Sequence, residues 1–96
     1  MKYAIILAAA IAAAPAYADP CARIGSFAAE VMATRQSGAA LSRVLAITDD
    51  MPSIFRKIVL EAYEEPRYQS ELHKQRSAQD YRNRWESACY RAKKPD

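Results

Sequence analysis

Two cysteines, Cys21 and Cys89, stand 68 positions apart near opposite ends of the chain, and no third cysteine competes with either. In a small exported protein an even pair of cysteines reads as a disulfide, and only one intrachain connectivity exists here. Closing so long a loop stabilises a fold by roughly 4 kcal/mol in the chain-entropy model. That is comparable to the entire stability expected of a small domain. A metal site would need further ligands at close spacing, and a redox centre usually shows Cys-x-x-Cys. The sequence has neither pattern, which leaves a bridge between two chains as the alternative.

The oxidising compartment is implied by the start of the chain. Lys2 supplies a cation, Ala4 to Ala14 form an apolar run, and Pro15-Ala16-Tyr17-Ala18 end it with a small-x-small pattern. These are the three parts of a signal peptide. Residues 1–18 are therefore expected to be removed, with cleavage after Ala18. The apolar run falls short of the twenty or so residues that span a bilayer. The alternative is an uncleaved anchor. A lipidated cysteine is disfavoured because Asp19 and Pro20, rather than small apolar residues, precede Cys21.

The mature chain, Asp19 to Asp96, is then a single small helical domain with a thin core, the size at which a covalent staple is often needed. It carries 13 Lys and Arg against 11 acids. The balance is uneven. Residues 19–66 hold five bases and seven acids, whereas residues 67–96 hold eight bases and four acids. Arg67, Lys74, Arg76, Arg82, Arg84, Arg91, Lys93 and Lys94 could face an anionic partner such as lipid, glycan or an acidic protein. Nucleic acid is not expected outside the cytoplasm. The structural reading of the same residues is a solvated face laced by ion pairs, Asp80 to Arg84 for example.

The apolar spacing predicts four helices. Asp19-Pro20 caps and opens the first, over residues 20 to 36, with Cys21, Ile24, Phe27, Ala28 and Val31 on one face. Gly38 suits the left-handed position after its end. A short second helix is expected from an N-cap at Ser42, with Leu41 stapled on Ala46, to Thr48. The third starts at Pro52, carries the stripe Ile54, Phe55, Ile58, Val59 and Ala62, and ends or kinks at Glu65-Pro66. The last runs from about Ser70 to Ala92 with Ala78, Tyr81, Trp85, Ala88, Cys89 and Ala92 inward. Its first two turns have only Leu72 as an apolar anchor. The core is expected where Ile54, Phe55, Ile58 and Val59 meet Phe27, Val31 and Trp85. A Cys21–Cys89 bond would make the first and last helices antiparallel in a compact all-α bundle.

Little in this pattern carries chemistry. His73 is the only histidine, in a polar stretch with no nucleophile in view. Asp49 and Asp50 read as charges complementing the start of the third helix, and Glu61, Glu64 and Glu65 as one solvated helix face. There is no Gly-rich phosphate loop. No catalytic residue, cofactor or metal is assigned. The most distinctive segment is Tyr63-Glu64-Glu65-Pro66-Arg67-Tyr68, where Tyr63, Arg67 and Tyr68 flank a proline-marked bend. Tyrosine and arginine are enriched in binding hot spots. The alternative is structural, with Tyr63 extending the third helix and Arg67 tied to Glu64 or a helix-end carbonyl.

Three stretches carry a resemblance: Thr34-Arg35-Gln36-Ser37-Gly38, Ile58-Val59-Leu60-Glu61-Ala62-Tyr63-Glu64-Glu65-Pro66-Arg67-Tyr68, and Tyr81-Arg82-Asn83 followed by Cys89. With the leader and the near-terminal cysteines, the chain resembles a group of small exported proteins of proteobacteria and their prophages. The resemblance implies a compartment and no activity. A looser likeness is to the periplasmic acid-stress chaperones, which are similarly small, helical and singly disulfide-bonded, although their cysteines lie in the chain interior. The expected function is that of a non-enzymatic periplasmic or secreted protein, a modulator or inhibitor of another envelope protein or of a phage component. The alternative is a small stress chaperone. Oligomeric state is not encoded in any pattern here.

Overall fold

The computed structural model describes residues 19–93. The leader expected at residues 1–18 lies outside the described residues. Four helices follow in order: α1 (Pro20–Gln36), α2 (Leu41–Ile47), α3 (Ser53–Ala62) and α4 (Glu71–Ala92). The described residues contain no strand.

Most helix boundaries have a local cause. Asp19 is extended and its carboxylate accepts from the Cys21 and Ala22 N–H groups at 3.0 and 3.3 Å, while Pro20 fills the first helical position. This satisfies donors that no intrahelical carbonyl can reach. α1 closes with Gly38 at φ +98°, the Gly38 N–H on the Arg35 carbonyl and the Ala39 N–H on the Thr34 carbonyl. That is a Schellman closure, which favours glycine because a Cβ is strained at positive φ. Ser70 caps α4 by accepting from the His73 N–H at 3.1 Å.

Two boundaries differ from expectation. The cap of α2 is Ala40, not Ser42, and it offers no side-chain acceptor. Leu41 is thus the first helical residue, and at 37% exposure it does not act as a staple on Ala46. α3 stops at Ala62 with Tyr63 as its C-cap, several residues short of Glu65-Pro66. Pro66 has no N–H to continue the ladder, and its ring would collide with a helical carbonyl four residues back. The Glu64 and Glu65 N–H groups instead bond back to Glu61 and Ala62 in a turn.

The disulfide sets the architecture. Cys21 and Cys89 are bonded, with Cα atoms 5.5 Å apart. At the other end of the pair, Gln36 of α1 and Ser37 just after it share a groove with Glu71, Lys74 and Gln75 of α4. The first and last helices therefore run antiparallel, and theirs is the most extensive helix pairing in the fold. α3 packs on α1, and α2 on α3. No helix among the described residues is long and apolar enough to cross a membrane.

One core joins all four helices: Ala28, Val31 and Met32 from α1, Val44 from α2, Ile58, Val59 and Ala62 from α3, and Tyr81 from α4. Phe27 and Phe55 are half-buried and meet edge to face, with centroids 4.8 Å apart. Ile54, expected at the centre, is 37% exposed. The inward face of α3 is centred on Ile58, Val59 and Ala62, and Ile54 falls on its flank. Ala88 and Ala92 are likewise exposed. Trp85 is half-buried and edge-on to Tyr81, and its Nε1 is the one buried side-chain polar atom without a partner among the described residues. Met32 and Tyr81 fill the centre instead, and the Tyr81 hydroxyl donates to the Ile58 carbonyl of α3.

Candidate functional site

The bend at Pro66 is clasped by the last turn of α1. Arg35 donates from Nε and Nη2 to the Glu65 carbonyl at 3.1 and 2.8 Å. Gln36 is 1% exposed, and its carboxamide serves two backbone groups of the bend besides the Met32 sulfur. Its Nε2 donates to the Pro66 carbonyl at 2.8 Å, and its Oε1 accepts from the Tyr68 N–H at 2.7 Å. A buried amide used this way replaces a strand partner for a segment that forms no regular structure.

The three candidate contact residues meet at this clasp in different ways. Tyr63 is half-buried, donates its hydroxyl to the Ala39 carbonyl at 2.7 Å, and holds the Arg35 guanidinium over its ring at 5.1 Å. Burial pushes its phenol above the usual value, with Arg35 opposing. Arg67 donates from Nε to the Gln36 carbonyl at 3.2 Å, and its guanidinium lies against Gly38. Arg67 thus reaches the end of α1, not Glu64. Tyr68 has its backbone fixed by Gln36 while its ring is exposed, 6.1 Å from His73 in a tilted arrangement.

Beside Tyr68 lies a cleft of about 270 Å³ lined by Met32, Glu65, Tyr68, Ser77, Asp80, Tyr81 and Arg84. Arg84 is 3.5 Å from the Glu65 carboxylate and lies over the Tyr81 ring at 4.9 Å. The expected Asp80–Arg84 pair is not formed, because Arg84 turns toward Glu65 instead. Burial pushes the Tyr81 phenol up to about 12. The cleft thus presents two carboxylates, one guanidinium and the edge of an exposed aromatic ring.

A comparison with family models, curated proteins and solved structures found no match. The site's chemistry therefore has to be argued from its own geometry. His73 has a hydroxyl within reach after all, since Ser70 Oγ lies 2.9 Å from its Nδ1. That hydroxyl already caps α4, and no third group orients the pair among the hydrogen bonds of the described residues. Among those residues no three His, Cys, Asp or Glu side chains converge as metal ligands.

Gln36, Arg35 and Glu65 escaped the sequence reading as site residues. A signal for Gln36 existed. It sits four residues after Met32, in phase with the buried Cys21, Gly25, Ala28 and Met32 of α1. A polar side chain at a core phase is a residue with an internal partner.

Proposed function

We propose that this chain is an exported, non-enzymatic protein-binding module whose contact surface is the Pro66 bend, with Tyr68 as its exposed anchor. The observation that carries the reading is the clasp, in which Arg35 and Gln36 hold the 65–68 segment from α1 while the Tyr68 ring is left outward. A loop fixed in advance loses little entropy on binding, so more of the contact energy appears as affinity. An exposed tyrosine beside Glu65, Asp80 and Arg84 combines the aromatic and charged groups common in hot spots. The leader pattern and the disulfide support an extracytoplasmic setting, where the partner is an envelope or phage protein that the module modulates or inhibits.

Tyr68→Ala tests this reading, because the substitution removes exposed surface and no hydrogen bond. Stability is expected to change by about 1 kcal/mol or less, while capture of a stoichiometric partner from periplasmic extract is lost. Capture unaffected by the substitution overturns the site. The chaperone alternative draws support from Leu41, Ile47, Met51, Ile54, Leu60 and Leu72, all exposed aliphatic side chains. It calls for a different result: many unfolded clients held at low pH, independent of Tyr68.

A further inference from the structure

The disulfide is asymmetric. Cys21 is 0% exposed in the first turn of α1, whereas Cys89, near the end of α4, is half-buried and keeps some exposed surface. Thiol–disulfide exchange needs an attacking thiolate to approach one sulfur from the side opposite the bond, so access decides which sulfur is attacked. We propose that this disulfide exchanges with an external thiolate through the Cys89 sulfur alone, with Cys21 as the departing and returning sulfur.

In the forward step the incoming thiolate forms a bond to Cys89 Sγ, the Cys21–Cys89 bond breaks, and its electron pair leaves on Cys21 Sγ. The return step is the reverse: the Cys21 thiolate attacks Cys89 Sγ and expels the external thiolate. Nothing is oxidised or reduced overall in this cycle. A second external thiolate attacking the mixed disulfide at the external sulfur would release both protein cysteines as thiols.

Three features of this end bear on the cycle. Lys93 lies one turn after Cys89 and its charge reaches the Asp19 carboxylate, so a cation stands near this end of the helix pair. The departing electron pair comes to rest in the first turn of a 17-residue helix, where the backbone dipole favours an anion and the Asp19 carboxylate opposes it. The Tyr90 hydroxyl donates to the Asp19 carboxylate, a second tie across the same two helix ends. That tie keeps Cys21 beside Cys89 while the covalent bond is open.

The folded protein is incubated with reduced glutathione, quenched with acid and mapped by peptide mass. Glutathione is expected on Cys89 in excess over Cys21 by roughly tenfold or more, as access dictates. An equal distribution, an excess on Cys21, or reaction only under denaturing conditions overturns the proposal. Single-cysteine variants provide an independent measurement. The Cys89 thiol of Cys21→Ser reacts rapidly with oxidised glutathione, and the Cys21 thiol of Cys89→Ser is protected; the opposite order refutes the assignment. Tyr90→Phe raises the steady level of the Cys89 adduct several-fold by slowing the return, and an unchanged level removes the role given to that tie. A thioredoxin-type enzyme lacking its resolving cysteine distinguishes the source: trapping on Cys89 extends the exchange to proteins, and trapping on Cys21 refutes it.

Discussion

Gln36 has no exposed surface to lose and no charge, yet two backbone groups of a distant segment depend on it. Replacing it with alanine leaves the Pro66 carbonyl and the Tyr68 N–H without partners in a partly buried place. Each such orphan costs about 1–3 kcal/mol, so Gln36→Ala is expected to lower stability by about 3 kcal/mol in a denaturant melt and to loosen the Tyr68 backbone. Tyr81 of α4 is buried in the shared core and bonded to α3. Its phenol is neutral when protonated, and burial raises it to about 12 from an unfolded value of 10.0. The native state therefore holds this proton more tightly than the unfolded state does. The contribution is complete below pH 10 and is lost as pH rises toward 12. On the order of 2–3 kcal/mol should vanish across that window, and Tyr81→Phe should flatten the loss in a pH series of melts.

The helices themselves were largely legible. Asp19-Pro20 and Gly38 mark chain positions where backbone groups need caps, and both act as local chemistry requires. α2 was harder to bound because Ala40 does its capping without a side chain, so no residue type advertises the start. α3 was read as too long because its true end is set by a turn and by a clasp from α1, a long-range cause that periodicity does not contain. The same limit hid the site: Tyr63, Arg67 and Tyr68 were visible as residue types, whereas their partners lie 24 to 32 positions away. Packing shifted the weight of the core from Ile54 toward Ile58 and Val59, but left Phe55 edge-on to Phe27. Truncating a half-buried ring costs less than truncating a fully buried one. Phe55→Ala is expected to destabilise by about 2–3 kcal/mol, below the usual upper range for aromatic deletions, while Ile54→Ala stays near 1 kcal/mol or less. Thermal melts of the pair order them directly.

For the molecule as a whole, the disulfide is a staple on the interface that dominates the fold. Reduction, or the double substitution Cys21→Ser/Cys89→Ser, should lower stability by about 4 kcal/mol through a freer unfolded chain. Circular dichroism below the transition should change little, because the α1–α4 pairing and the Asp19–Tyr90 contact remain. A collapse of helicity on reduction would show instead that the core alone cannot hold the bundle. The pairing of α1 with α4 also has a consequence in time. A ribosome delivers α1 well before α4, so α1 emerges without the helix that covers it. α2 and α3 make far smaller interfaces and cannot stand in for it. The four-helix body therefore closes only once α4 has arrived to cover α1.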